Sequence, residues 1–185
     1  MKETDLRYER TRKNILAAMT RLLQTKSFEQ ITVTNICQEA EISRSGFYLH
    51  YVDKYDLVEM NLQKFRDQAN QFLAETSDRD KTKLFSNMLN YLQGEGKLIA
   101  ALLSENGSVE VQNYIKRVMQ ENARVNIFPQ LNLKIESETE QHFAIIFLSN
   151  ALLGVLQDWI NRGQKESPAE LVKIMTRLIT FDFKK

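Results

Sequence analysis

An all-α protein of about nine helices is what this sequence predicts, with a three-helix N-terminal unit leading into a C-terminal helical bundle. Three observations carry the prediction. Apolar residues recur at helical spacing along most of the chain, no alternating strand pattern occurs, and six Gly and two Pro in 185 residues are too few for a sandwich or a barrel. With 43% hydrophobic and 26% charged residues the chain has ordinary globular composition and enough length to bury a core.

The elements follow in order. Ile15, Leu16, Met19, Leu22 and Leu23 share one face and place the first helix over roughly 6–25. Beyond a loop containing Ser27, the residues Val33, Ile36, Cys37 and Ala40 repeat the rhythm in a short second helix capped by Thr32. Ser43 caps a third short helix, whose Phe47 and Tyr51 lie one turn apart and point into the core. Asp53 caps a fourth, and Asp56 adds negative charge at the positive end of its dipole. Val58, Leu62, Phe65, Ala69 and Phe72 keep one stripe along that helix to about Glu75, long enough to link two regions. The polar run 76–81, with Arg79-Asp80-Lys81, reads as a solvated loop. Leu84, Phe85, Met88, Leu89 and Leu92 mark a fifth helix, which Gly94 and Gly96 separate from an apolar sixth, Leu98 to Leu103. A seventh starts at Ser108, turns Val111, Ile115, Val118 and Val125 inward and ends near Phe128-Pro129. Ser137 with Glu140, and Ser167 with Glu170 behind Pro168, are capping boxes that open the last two helices, 138–162 and 168–181. Gly163 suits the end of the first of these.

Several function classes are disfavoured by what is missing. One cysteine permits no intramolecular disulfide, and with two histidines it cannot build an ordinary zinc site, so no metal is expected. Cys37 lies on the apolar face of its helix and reads as a small buried hydrophobe rather than a thiol sensor. The charged N-terminus lacks the apolar segment of a secretory signal, and the most apolar stretch, 143–156, is too short to cross a bilayer. A cytoplasmic location without membrane contact is expected. The sequence shows no Gly-rich phosphate loop, nucleophile elbow or histidine paired with a nucleophile, so neither catalysis nor a cofactor is expected. Net charge is +1, and residues 1–54 carry nine Lys/Arg against seven Asp/Glu. That excess is too slight to argue for nucleic acid by itself, so the argument must rest on pattern, with Arg7, Arg10, Arg12 and Lys13 as local support.

The pattern is two short helices joined by a tight turn and preceded by a supporting helix, the helix-turn-helix arrangement. Its segment ITVTNICQEAEISRSGFYLHYVDKYDL resembles the DNA-binding signature of the TetR family of transcription regulators: a Thr-rich cap, a helix, a turn, then Phe-Tyr-x-His-Tyr and Lys-x-x-Leu. The resemblance is dense over residues 11–57 and departs at the turn, where the family usually has Gly in place of Glu41. With Phe47 and Tyr51 as anchors, Arg44, Ser45, Tyr48 and the region of His50 face outward. Arg44 and Ser45 can each reach a base edge or a phosphate. The resemblance implies phosphate contacts for Tyr48, His50 and Lys54. Thr32 and Thr34, at the start of the second helix, offer hydroxyls and exposed N–H groups to a phosphate. Gly46 costs helix stability, about 1 kcal/mol relative to Ala, which close approach to DNA would justify.

The resemblance further implies a DNA-binding domain over residues 1–52 and a ligand-sensing, dimerising domain over 53–185. It implies a homodimer on double-stranded operator DNA, controlled by a small apolar effector, with repression the commoner outcome. Phe65, Phe85, Met88 and Phe147 are the candidate pocket residues; together with Phe72, Tyr91, Phe143 and Trp159 they also read as ordinary bundle core. The eighth helix is apolar on more than one face, more than one monomer requires. Ser149, Ala151 and Gly154 would allow a second copy to approach closely, and Leu171, Ile174, Met175 and Leu178 would supply the matching row. The alternative is a coactivator or adaptor of the same fold that acts through a protein partner without touching an operator. Arg44, Tyr48 and Lys54, all present near the reading helix, favour DNA.

Overall fold

The computed structural model describes residues 3–75, 81–127 and 135–179, which contain nine α-helices and no strand. In order these are α1 (Glu3–Leu22), α2 (Val33–Glu39), α3 (Arg44–Tyr48), α4 (Lys54–Glu75), α5 (Lys81–Gln93), α6 (Lys97–Leu103), α7 (Val109–Asn122), α8 (Glu138–Asn161) and α9 (Pro168–Ile179). A 3₁₀ turn, Phe28–Gln30, joins α1 to α2, and a π turn, Ala123–Ile127, continues α7. The order matches the expected one. The first helix ends earlier than periodicity suggests, at Leu22, with 23–25 in turn conformation. The loop 76–80, the expected end of the seventh helix at Phe128-Pro129 and the expected end of the ninth at Phe181 lie outside the described residues.

Side-chain caps fix where these helices begin. The Thr32 hydroxyl accepts from the Asn35 N–H at 3.2 Å, and the Ser43 hydroxyl accepts from the Gly46 N–H at 3.0 Å. Asp53 accepts from the N–H groups of Tyr55 and Asp56, both at 2.8 Å, while Asp56 reaches back to the Val52 N–H at 2.8 Å. Ser167 and Glu170 hold each other's backbone N–H groups, so the expected capping box is present there with Pro168 in the first helical position. Gly163 closes α8 at φ +80°, a left-handed position that glycine adopts without strain.

Burial ties the two regions together. Ile15, Met19, Ile36, Phe47 and Leu57 are sealed from solvent and belong to one apolar cluster that continues into Leu98, Leu102 and Leu103 of α6 and Leu153 of α8. Cys37 is buried in this cluster, and that burial pushes its thiol pKa up. A second cluster surrounds Trp159, whose indole N–H donates to the Glu166 carbonyl at 2.9 Å, with Leu89, Leu171, Val172 and Met175. The loop before α7 reaches the N-terminal unit directly, because the Phe28 N–H donates to the Asn106 carbonyl at 2.9 Å. Beside it Gly107 is packed so closely that a Cβ would stand 1.9 Å from the Leu102 carbonyl oxygen.

The structure corrects three expectations about α8. It is one continuous helix of 24 residues and, by length and composition alone, is apolar enough to cross a bilayer, although the stretch 143–156 by itself is short. Phe143 and Phe147 are not core: they are 63% and 72% exposed. Ser149 does not face outward with Ala151 and Gly154; it is buried, and its hydroxyl donates to the Ile145 carbonyl at 2.7 Å. The outward row on α9 is likewise narrower than expected, since Leu171 and Met175 are buried within the chain and only Ile174 and Leu178 are exposed.

Candidate nucleic-acid interface and internal cavity

The second helix of the turn motif sits on the core through Phe47, which is fully buried, and Tyr51, whose phenol burial pushes upward in pKa. That anchoring leaves Arg44, Ser45 and Tyr48 exposed along one side of α3. Arg44 donates to the Tyr48 hydroxyl at 3.3 Å, one helical turn away, so the two polar heads form one pair. The Ser43 and Ser45 hydroxyls lie 2.9 Å apart. Leu49, four residues after Ser45, is 76% exposed and extends the same side with an apolar group. It was not among the expected site residues, because an apolar residue in a short helix reads as core. Its chemistry suits a thymine methyl.

The remaining expected contacts are placed less simply. Thr34 is exposed on α2, but the Thr32 hydroxyl is already engaged, accepting from the Asn35 N–H and donating to the Asn35 side-chain oxygen at 3.0 Å. Gly46 is half-buried, and a Cβ there would lie 3.3 Å from the Ser43 hydroxyl, so the cap itself already restricts this position. His50 is half-buried and stacks on Tyr8 of α1 with ring centroids 4.0 Å apart. Burial, aided by the Arg12 charge, lowers its pKa and favours the neutral imidazole. Its Nδ1 is buried without a hydrogen-bond partner.

Lys54 departs furthest from expectation. Its ammonium donates to three backbone carbonyls of the 3₁₀ turn, Phe28 at 2.8 Å, Ile31 at 2.9 Å and Glu29 at 3.2 Å. It also lies over the rings of Phe28 and Tyr55, 4.5 and 5.2 Å from their centroids. All three of its donors are therefore spent inside the protein. A residue expected to hold a phosphate instead ties the start of α4 to the turn between α1 and α2. Glu41 sits at φ 55°, the left-handed conformation that explains why glycine suits this turn.

Between α4, α5, α7, α8 and α9 lies a cavity of about 330 Å³. Phe65, Phe85 and Met88 line it as expected; Phe147 does not, because its position on α8 turns it to solvent. Leu103 of α6 also reaches the wall, so the cavity touches the helix that precedes the Asn106 loop. Among the described residues no group of three or more potential metal ligands occurs.

A helix-turn-helix head joined to a helical bundle defines a DNA-binding transcription regulator, and comparison with known proteins supplies the family. Residues 15–60 match the family model for bacterial regulatory proteins of the tetR family, and residues 80–181 match that of a transcriptional regulator C-terminal region in the same family. The chain belongs to the TetR family of transcription regulators, which are DNA-binding proteins and not enzymes. A comparison with curated proteins finds no match. Solved structures with the same fold include the fatty acid degradation regulator FadR of Bacillus halodurans, 16% identical, TM-score 0.68, covering 94% of this chain and 96% of that one. NalD of Pseudomonas aeruginosa, the secondary repressor of the MexAB-OprM multidrug efflux pump, is 19% identical with TM-score 0.61 over 91% of this chain and 96% of its own. The dihydroxyacetone kinase operon activator DhaS is 20% identical with TM-score 0.54 over 91% and 93%.

Proposed function

We propose that this chain is a homodimeric repressor that reads operator DNA with α3 and releases it when a small apolar molecule occupies the cavity of the bundle. The observation that carries the reading is the outward side of α3, where Arg44, Ser45 and Tyr48 are exposed on a helix that Phe47 holds rigidly to the core. Arg44 and Ser45 are the base or phosphate contacts, Tyr48, Thr34 and His50 fix register on phosphates, and Leu49 adds an apolar contact. Residues 1–52 form the reading domain and 53–185 the sensing and dimerising domain. The dimer forms through α8 and α9, where Phe143, Phe147, Ile174 and Leu178 are exposed and Gly154 has open space beside it. An adaptor without DNA contact would have no use for this exposed Arg–Tyr pair.

Proteins of this fold include an activator, DhaS, and a repressor, NalD. Repression requires no surface beyond the two reading heads, which is why we take that sign here. The experiment is a gel shift of the purified chain against the DNA upstream of its own gene. The wild type is expected to retard that fragment, while Arg44→Ala and Tyr48→Phe weaken binding and keep helical content unchanged. Unaltered affinity in both variants would refute the assignment of α3 as the reading helix.

A further inference from the structure

We infer that the effector is an uncharged, hydrocarbon-rich molecule of about a dozen non-hydrogen atoms, and that molecules carrying a carboxylate or an ammonium are rejected; this rests on the reading of the cavity as the effector site. The size follows from the cavity's 330 Å³ and a share of roughly 30 Å³ per water-sized group.

The exclusion of charge follows from the wall. Among the described lining residues there is no Lys, Arg, His, Asp or Glu. Among the described lining residues the polar side chains are Asn122, Ser149 and Thr176, and each already has a partner in the protein. Ser149 donates to the Ile145 carbonyl at 2.7 Å and Thr176 to the Val172 carbonyl at 2.8 Å, so both hydroxyl protons point back into their own helices. On the described wall a ligand ion would give up its hydration and find no counter-charge, and one or two polar contacts do not repay that loss for a full charge. A hydrocarbon surface loses nothing by entering and fills a void whose lining otherwise lacks neighbours.

The wall also indicates how selective the site is. Met88, Met119 and Met175 line it, half of the six methionines of the chain. Their unbranched, polarisable side chains adapt to different outlines. The site therefore discriminates by charge far more strongly than by shape. Thr176 is the one lining residue exposed to solvent and marks the opening.

The test is displacement of the fluorescent probe 1-aminonaphthalene, itself uncharged at neutral pH and within the inferred size, from the full-length protein by molecules of nearly equal size: methyl nonanoate, decanoate and decylammonium at neutral pH. The ester is expected to bind at least tenfold tighter than either ion and to raise the melting temperature, and decanoate should tighten as the pH falls toward its own pKa. The cavity-filling variant Leu152→Trp, with helical content checked, should lose probe and ester together. Equal or tighter binding of an ion, or no binding of the ester, would overturn the inference. If the ester binds in preference to both ions but leaves operator affinity unchanged, the charge selectivity of the cavity stands, and it is the proposed role of this cavity as the effector site that fails.

Discussion

Single residues decide how the reading head is held. Glu41 occupies a left-handed turn position at φ 55°, which a side chain tolerates at a cost of about 1 kcal/mol or more. Glu41→Gly should therefore raise stability by roughly 0.5–1 kcal/mol, after allowing for the greater freedom of glycine in the unfolded chain. It should also tighten DNA binding by removing a carboxylate from the turn; urea denaturation and a gel shift check the two effects separately. Lys54 gives the opposite kind of prediction. Because its ammonium is spent on the carbonyls of Phe28, Glu29 and Ile31, Lys54→Met should cost about 1–3 kcal/mol of stability. Operator affinity should fall too, but the slope of log affinity against log salt should stay unchanged, since no phosphate contact is lost. A slope smaller by about one charge would show that Lys54 leaves its carbonyls for a phosphate. His50 supplies a pH dependence. Its folded pKa lies below the unfolded value, so the unfolded state takes up a proton first, and stability present above the unfolded pKa of about 6.5 is lost as pH falls through the folded one. Melting temperatures between pH 7 and 5 should drop in the wild type and drop less in His50→Gln.

At the scale of elements, the sequence made the helices legible because their starts carry chemistry. Thr32, Ser43, Asp53, Ser137 and Ser167 can be read as caps without a structure, and each accepts a backbone N–H where expected. The direction in which an apolar residue faces is harder to read. Phe147 and Ser149 stand two places apart on α8, and their spacing alone does not reveal that the phenyl ring is exposed while the hydroxyl is buried. In a helix apolar on several sides, only the neighbours decide which face is core. The carbonyl contacts of Lys54 are illegible for a related reason, because whether a cation near a helix start meets a nearby turn depends on the tertiary approach of Phe28, 26 residues away in sequence. The exposed row Phe143, Phe147, Ile174 and Leu178 leads to a prediction at this scale. Burying one phenylalanine contributes roughly 1.5–3 kcal/mol, and a two-fold axis uses each twice. Phe147→Glu should weaken the dimer by well over tenfold, seen by light scattering as monomer at micromolar protein. A wild-type chain that is itself monomeric under those conditions would remove α8 and α9 as the interface.

Across the whole molecule, the cavity and the reading head are joined by two routes. Helix α4 starts at Lys54, beside the head, and its Phe65 and Ala69 line the cavity; its 22 residues span about 33 Å. Helix α6 brings Leu103 to the cavity wall and is followed by the loop whose Asn106 carbonyl accepts from Phe28. Both routes end on the turn between α1 and α2, where Lys54 and Asn106 hold Phe28 from two sides. A ligand that prefers a displaced α4 would tilt the head, and a dimer can fill successive major grooves only with its reading helices about 34–36 Å apart. Coupling in such systems is typically about 1–3 kcal/mol, and it is reciprocal, so operator must weaken ligand binding by the factor with which ligand weakens operator binding. The most direct test of the account is therefore the affinity of the protein for a cavity ligand such as methyl nonanoate, measured with and without a saturating operator duplex selected from random DNA. A loss of affinity of about 5–150-fold on the operator is expected; equal affinities in the two titrations would show that the cavity does not control the reading head.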